Sequence, residues 1–245
     1  MPYPPLRLAF CAACNSGLSV GLTSQFAECP NCRRRVAYPL SEPFGSEEWV
    51  TVPSPKYLFG CLTALGFAIT DRKRRLLHVA VARIAFDWLH DEPFRLAIET
   101  AEIAAEAGKY PPHRELLRRL MARPPRAGSD TFDARQVAFA AALSPASAAP
   151  ASDLRPQTRA CYADAYRDLF ANPFLRLTWN SDWFTRTVRD LAAHIYADHD
   201  FGAMPILADA LQDAGCDDEQ VLTHCRADKP HARGCWVLDA ILGKE

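Results

Sequence analysis

Four cysteines near the N-terminus have a spacing that suits a metal ion. The segment CAACNSGLSVGLTSQFAECPNC contains two CxxC pairs separated by fourteen residues. Zn2+ prefers four thiolates in a tetrahedron, and each CxxC turn can supply two of them. Because four protein ligands leave no open position, such an ion would stabilise the fold and would not activate water. The sequence therefore predicts one structural Zn2+ site, with the ligands Cys11, Cys14, Cys29 and Cys32.

Two other uses of the paired cysteines fit the sequence less well. The chain has nine cysteines, an odd number, and its first eleven residues lack the apolar run of a signal peptide. We therefore expect reduced thiols in the cytoplasm rather than two disulfides. A redox CxxC would need a thioredoxin-like strand-helix-strand context, which the flanking sequence lacks.

Apolar residues alternate with other types on both sides of the cysteine pairs, which is typical of short strands. The stretch FCAACNSGLSVGLTSQFAECPNCRRRVAYP resembles the short N-terminal zinc ribbons of many bacterial proteins, which share an F-x-C-x-x-C start and a C-P-x-C second turn. This resemblance implies a small β-rich ribbon over residues 1–40 with the four cysteines as ligands. Such ribbons commonly carry Gly after each CxxC, where this chain has Asn15 and Arg33.

Three consecutive arginines, Arg33, Arg34 and Arg35, follow the second cysteine pair and could contact phosphates. A second basic run occupies residues 72–75. However, the net charge of −1 and the pI of about 6.7 give no overall attraction for a polyanion. No aromatic side chains interleave the arginines, as a base-stacking surface would require. Another protein is therefore the favoured partner, and nucleic acid is the alternative.

A second group of candidate metal ligands lies near the C-terminus. Cys225, His231 and Cys235 fall within eleven residues and, with one further ligand, could hold a soft metal ion. Cys216 is too far from Cys225 if the residues between them are helical, and the adjacent His224 would point about 100° away from Cys225. The simpler interpretation is that these cysteines are buried apolar side chains and that the histidines satisfy backbone groups.

Residues next to this group form a candidate ligand or partner site. It comprises His231, Arg233, Cys235, Trp236 and Asp239. The simplest role for Arg233 is an ion pair with Asp239, one that fixes the last helix of the chain. A small ligand or a partner peptide is the alternative use of the same residues.

Two segments resemble a paralogous family of bacterial proteins without an assigned activity. The first is DRKRRLLHVAVARIAFDWL, and the second runs from NPFLRL at residue 172 to the LGKE terminus. Family members share the NPF motif, an FxxMPILADALxxAGC helix and a terminal HxRGCWxxDxxLGK. The resemblance implies homology and brings no activity, substrate or partner.

After the ribbon, the sequence indicates helices. The Pro-rich segment 41–56 lacks a helical or strand period and is expected to be a linker. Residues 57–245 then place apolar side chains at steps of three and four, as at Leu77 and Val81, which predicts an all-α domain. The Ala/Ser/Pro-rich stretch 142–156 could divide this domain into two halves. The expected fold class is mainly α, with a small β-rich zinc ribbon followed by an all-α helical domain.

The longest apolar run also indicates a buried helix. It covers residues 57–70, whereas a membrane-spanning helix needs about twenty residues. We therefore expect no membrane association.

Gly108 and Gly243 are expected to end helices, because glycine readily adopts the left-handed conformation that follows a helix.

The sequence contains no nucleophile elbow, phosphate-cradling glycine loop, HExxH motif or helix with paired carboxylates. We therefore expect a protein-interaction or regulatory adaptor with one structural Zn2+ rather than an enzyme. One alternative is a nucleic-acid-binding zinc ribbon protein. The other is a metalloenzyme that uses the C-terminal Cys/His group.

Overall fold

The structure, a computed structural model, describes the backbone of residues 7–10, 17–20, 26–28, 33, 35–37, 45–67, 69–84, 92–108 and 156–244. The predicted mainly α class is confirmed over this part of the chain, because helices account for most of it. Four short strands precede the helices and form two antiparallel pairs. They are β1 (Arg7–Phe10) with β2 (Gly17–Val20), and β3 (Phe26–Glu28) with β4 (Arg35–Ala37).

The predicted zinc-ribbon ligands fall outside the described residues, namely Cys11, Cys14, Cys29 and Cys32. Arg34 also falls outside them, and Arg35 belongs to β4. Arg33 is exposed and has a φ of 61°. This left-handed conformation is one that glycine adopts readily and that other residues rarely adopt.

Nine α-helices follow within the described residues. They are α1 (Ser46–Thr51), α2 (Pro55–Ala64), α3 (Asp71–Ile84), α4 (Glu92–Ala107), α5 (Pro156–Leu169), α6 (Arg186–Asp198), α7 (Met204–Asp213), α8 (Glu219–Arg226) and α9 (Trp236–Leu242). Two short 3-10 turns, Ser181–Trp183 and Phe201–Ala203, come before α6 and α7.

The segment 41–56, expected to be an irregular linker, contains α1 and the start of α2. The Glu48 carboxylate accepts a hydrogen bond from the Gly45 N–H at 2.7 Å, which caps the first turn of α1. Trp49 on this helix is 2% exposed and packs in the core. The linker prediction is therefore wrong for residues 45–56, and residues 41–44 lie outside the described residues. The prolines of residues 45–56 either lie outside α1 or, like Pro55, occupy a first helical turn, where no hydrogen bond is lost.

The first core is built from α1 to α5. Leu77 and Val81 on α3 are buried, as expected, but all residues from 75 to 82 are buried, so this part of α3 is covered on every side and not along one stripe. Helix α2 contributes Leu58 and Leu62, both fully buried, so the apolar run at 57–70 includes a buried helix, as expected. Among the described helices, none combines the length and the apolar character needed to cross a membrane.

The second core is built from α6 to α9. Val188, Ala192 and Ile195, spaced by four and three residues on α6, are fully buried and form the inner face of this helix. Gly108 and Gly243 have φ values of 64° and 63° at the ends of α4 and α9, which confirms both predicted helix ends.

The boundary between the two cores lies beyond α5. Phe174 belongs to the first core and Trp183 to the second. Helix α5 follows the stretch 142–156 in sequence, yet its buried residues pack in the first core. The core boundary therefore does not coincide with the Ala/Ser/Pro-rich stretch, most of which lies outside the described residues.

Ion pairs connect the two cores and fix the position of α9. Arg72 on α3 donates to both carboxylate oxygens of Asp239 on α9, at 2.8 and 2.9 Å. It also contacts Glu106 on α4 at 3.0 Å. Lys73 reaches the same Asp239 carboxylate at 2.7 Å. Because α9 is held against α3 in this way, the residue at its N-terminus, Cys235, also has a fixed position.

Candidate metal centre

Four side chains that can ligate a metal converge between the two cores. Asp168 comes from the last turn of α5, His224 from the last turn of α8, and Cys235 from the residue before α9. His231 lies in the loop between α8 and α9. One potential ligand atom from each of these residues lies within 4.8 Å of the others. We call these residues the four-donor cluster.

The boundaries of α8 place His224 at the edge of the core. Asp218 begins this helix by accepting hydrogen bonds from the N–H groups of Gln220 and Val221 at 3.0 and 3.2 Å. Val221 and Cys225, four residues apart, form the buried face of the helix. His224 therefore projects beside this face, where it meets α5.

A tight turn brings Cys235 into the cluster. Gly234 has a φ of 90°, and a Cβ atom at this position would lie 2.9 Å from Leu76 Cδ1 on α3. The Lys73 ammonium donates to the Gly234 carbonyl at 2.6 Å and holds the turn against α3. Cys235 follows as the fully buried N-cap of α9. Only glycine satisfies both the φ angle and the close approach.

Asp168 is at the centre of the contacts within the cluster. Its Oδ1 lies 2.6 Å from His231 Nδ1 and 3.4 Å from His224 Nε2. Its Oδ2 accepts the N–H of Ala232 at 2.9 Å. His224 Nε2 also lies 3.2 Å from Cys235 Sγ. A carboxylate that contacts Nδ1 of a histidine in this way orients the imidazole ring.

Burial and pairing set the protonation of these groups. Burial alone would raise the pKa of Asp168, but the hydrogen bonds and charges of His224 and His231 outweigh it and lower that pKa. Burial lowers the pKa of His224, although Asp168 opposes this change. Burial also raises the pKa of the Cys235 thiol well above its ordinary value. Without a metal, the cluster therefore holds a carboxylate, a neutral His224 imidazole and a protonated thiol at neutral pH.

Two contacts in the cluster are close to the spacing of a tetrahedral metal site. Metal bonds of about 2.0 to 2.3 Å place neighbouring ligand atoms about 3.3 to 3.8 Å apart. His224 Nε2 lies 3.4 Å from the Asp168 carboxylate and 3.2 Å from the Cys235 sulfur. The 2.6 Å contact between Asp168 Oδ1 and His231 Nδ1 is a direct hydrogen bond, which would have to lengthen if both atoms bound the metal. The side chain of His231 is 5% exposed, and its Nε2 is buried with no hydrogen-bond partner among the described residues. Such a nitrogen needs an additional partner, and two imidazoles, a carboxylate and a thiolate form a donor set that Zn2+ accepts.

The cluster lacks the geometry of a Cys-His-Asp nucleophile site. In such a triad, the nucleophile and the carboxylate contact different nitrogens of one imidazole. Here Cys235 and Asp168 both approach Nε2 of His224. The thiol is also fully buried and protonated, whereas a nucleophilic cysteine needs a lowered pKa.

A cavity of about 370 Å³ borders the cluster. Asp168, His224 and His231 line it, whereas Cys235 does not and is fully buried. Three of the donors therefore border open space, and the fourth lies behind them. The large apolar members of the cavity wall are Trp49, Val50, Leu175 and Trp236.

The structure separates Arg233 from Asp239, which were expected to form an ion pair. The Arg233 guanidinium donates to the backbone carbonyls of Tyr196 and Ala197 at 2.9 and 2.8 Å. Asp239 instead pairs with Arg72 at 2.8 Å. The predicted pair is wrong because Arg233 contacts α6, while Asp239 on α9 contacts α3.

Other members of the predicted C-terminal site do lie together. His231 and Cys235 belong to the four-donor cluster, and the ring of Trp236 lies 4.9 Å from that of His224. Cys225 was a candidate ligand, with a buried apolar side chain as the simpler interpretation. It is not part of the cluster. It is fully buried in the second core, in agreement with the simpler interpretation, and burial raises its pKa to about 12. The adjacent His224 belongs to the cluster instead.

The basic run at residues 72–75 is committed to contacts within the chain. Arg72 and Lys73 form the ion pairs with α9, and Arg74 pairs with Asp71 at 2.8 Å. Arg75 is only 6% exposed. This run therefore does not supply the basic surface that the nucleic-acid alternative would use together with the ribbon arginines.

The sequence analysis missed Asp168 and His224. Asp168 precedes His224 by 56 residues, and no local pattern connects the two. A signal for His224 is present in the helix period, because Val221 and Cys225 occupy the apolar face and leave His224 beside it. No family model, curated protein or solved structure matches this chain. The chemistry of the cluster therefore carries the functional argument.

Proposed function

We propose that this is a zinc-binding protein whose helical domain holds one Zn2+ at Asp168, His224, His231 and Cys235. The observation that carries the proposal is the convergence of four potential ligand atoms, one from each residue, within 4.8 Å of one another. Zinc would bind Cys235 as a thiolate and the two histidines as neutral imidazoles.

Zinc at this position would connect the two cores. Asp168 follows directly on the buried residues of α5 in the first core, and Cys235 belongs to the second core. A metal that binds the folded chain more tightly than the unfolded chain stabilises the fold. We therefore expect the packing of the first core against the second core to depend on zinc.

Zinc content per chain tests this proposal. The full chain is purified without added metal and compared with His224→Gln and Cys235→Ser, each of which removes one ligand. We expect each variant to lose about one equivalent of zinc, because a buried site that lacks a ligand binds metal far more weakly. Elemental analysis gives the metal content, and circular dichroism shows whether the helices persist.

Cys225→Ser is the matched control for Cys235→Ser. Both cysteines are fully buried in the second core, but only Cys235 belongs to the cluster. The control should retain its zinc. The double variant Cys29→Ser/Cys32→Ser removes the predicted ribbon site and should still hold zinc in the helical domain. A chain with this double substitution that binds no metal would show that the four-donor cluster is not a zinc site.

The N-terminal segment supports a second candidate function, that of a protein-interaction or regulatory adaptor in the cytoplasm with a structural zinc ribbon. Each CxxC pair falls in sequence between two strands that pair with each other, β1 with β2 and β3 with β4. X-ray absorption spectra at the zinc edge of the Cys235→Ser chain should show four sulfur ligands at about 2.3 Å from the metal. Nitrogen ligands in this spectrum would contradict a four-cysteine ribbon.

A further inference from the structure

The cavity beside the cluster has room for a small molecule. Its volume of about 370 Å³ lies near the lower end of the range for small-molecule sites, about 300 to 1,000 Å³. A zinc ion held by the four donors would lie at the wall of this cavity, because three of the four donors line it. Cys235 would bind from behind, so the cavity side of the metal is the side that a further ligand could reach.

A residue of the cavity wall, Gln220, has an amide N–H group without a hydrogen-bond partner among the described residues. Gln220 lines the cavity, and its Oε1 accepts the N–H of Asn172 at 2.8 Å. This contact fixes the orientation of the amide. The Gln220 Nε2 is buried and has no hydrogen-bond partner among the described residues. A ligand that supplies an acceptor oxygen would satisfy it.

The charged groups around the cavity do not by themselves select an anion. Arg167 lines the cavity, but its guanidinium donates to the carbonyls of Trp49 and Val52 and to Asp164. Exposed side chains of both signs, Lys229 and Glu219, also contribute to the lining. The metal and the Gln220 amide therefore decide which polar group of a ligand is bound. The rings of Trp49 and Trp236, together with Leu175, favour a ligand whose remaining part is apolar.

From these features we infer that zinc in the four-donor cluster expands from four to five ligands and takes the fifth from the cavity, and that this ligand is a small monocarboxylate with an aromatic or branched apolar body. One carboxylate oxygen would bind the metal, and the other would accept the hydrogen bond of Gln220. The apolar body would pack against the rings of Trp49 and Trp236. This inference rests on the proposed zinc site.

Phenylacetate is the probe that tests the inference. Isothermal titration calorimetry is carried out on the zinc-replete full chain, and the zinc content of the same sample is measured. We expect one phenylacetate per chain. Acetate lacks the apolar body and 2-phenylethanol lacks the carboxylate, so each should bind at least about tenfold more weakly, the loss expected for one missing charged hydrogen bond or an equivalent apolar contact.

Two cavity variants test the location of the bound probe. Gln220→Leu should weaken phenylacetate binding about tenfold, because it removes one hydrogen bond to a charged group. Its matched control is Gln212→Leu on α7, whose amide contacts Arg226 at 2.7 Å and does not line the cavity. Thr223→Trp changes an exposed residue of the lining that is not in the cluster, and it should abolish phenylacetate binding while zinc is retained.

Zinc content and phenylacetate binding together separate this inference from the zinc proposal. If Cys235→Ser contains as much zinc as the unaltered chain, the helical zinc site does not exist and both proposals fail. If the helical domain holds zinc but phenylacetate does not bind, the metal has a closed four-ligand shell and only the inference is overturned. Phenylacetate binding that Thr223→Trp leaves unchanged would also overturn it, because the probe would then occupy another site.

Discussion

Asp168 contacts three separate points of the chain through its two carboxylate oxygens. One oxygen approaches His224 and His231, and the other accepts the N–H of Ala232. The residue is 4% exposed, so its charge depends on these contacts. A single buried carboxylate thus fixes the loop between α8 and α9 against the first core.

Gly234 is the residue whose replacement should disturb this loop most directly. Gly234→Ala places a Cβ against Leu76 and also forces a left-handed conformation on alanine. We expect a loss of about 2 to 4 kcal/mol in the free energy of unfolding, from the backbone cost and from overpacking. Chemical denaturation monitored by circular dichroism measures this loss.

Gly243→Ala is the matched control for that substitution. Gly243 also has a positive φ, but a Cβ there would meet no atom within 4 Å. Gly243→Ala should lower the free energy of unfolding by only about 1 to 2 kcal/mol, which is the cost of the left-handed backbone alone. Equal losses for the two variants would mean that the contact with Leu76 does not constrain the turn.

At the scale of the elements, α9 is held by charges on α3 and α4. Arg72 contacts Asp239 and Glu106, and the Lys244 ammonium just beyond α9 reaches Glu106 at 2.6 Å. Burial works to raise the pKa of Glu106, but the hydrogen bonds of Lys244 and Tyr196 and the charge of Arg72 lower it overall. The network therefore keeps the Glu106 carboxylate ionised and orders the C-terminal helix.

Removal of the central guanidinium should loosen α9. The Arg72 side chain is 13% exposed and Asp239 is 5% exposed, so Arg72→Ala leaves buried carboxylates without their main partner. We expect a loss of about 3 kcal/mol or more in the free energy of unfolding. Denaturant titration followed by tryptophan fluorescence measures this loss, since Trp236 belongs to α9.

Arg74→Ala provides the comparison on the same helix. Arg74 pairs with Asp71, whose side chain is 71% exposed, and a pair of this kind contributes about 0 to 1 kcal/mol. The two variants should therefore differ clearly. A loss for Arg74→Ala as large as that for Arg72→Ala would contradict the central role of the buried network.

At the scale of the whole molecule, the segment before α2 is part of the helical body. Trp49 packs in the first core with residues of α2, α3 and α5. The carbonyl of Trp49 accepts a hydrogen bond from Arg167 on α5 at 2.8 Å. Within the described residues, the helices that share the first core therefore begin with α1 and not at residue 57.

Substitution of Trp49 tests this boundary. Trp49→Ala should reduce the free energy of unfolding by about 3 to 5 kcal/mol, the usual cost of removing a large buried ring. Its neighbour Val50 is 53% exposed, so Val50→Ala should stay within about 0.5 kcal/mol of the unaltered chain. Thermal unfolding of both variants measures the difference. A small effect of Trp49→Ala would restore the interpretation of this segment as a linker.

The sequence by itself determined the helical class, the burial of Leu77 and Val81 on α3, and the glycines that end α4 and α9. These features depend on residues that are near one another in the chain, so they are visible in local sequence. The same local logic predicts the zinc ligands of the ribbon, because each CxxC pair is one short turn. It fails at α1, where a single tryptophan is too short a signal to outweigh the surrounding prolines.

Only the tertiary structure decided the composition of the four-donor cluster and the partner of Asp239. Asp168 and Cys235 belong to different helices, and their meeting depends on how α5, α8 and α9 pack. The sequence favoured Cys225 over the adjacent His224 as a candidate ligand, but the packing of α8 buries Cys225 in the second core and places His224 in the cluster. Contacts between distant segments depend on the packing of whole helices, which no local period encodes.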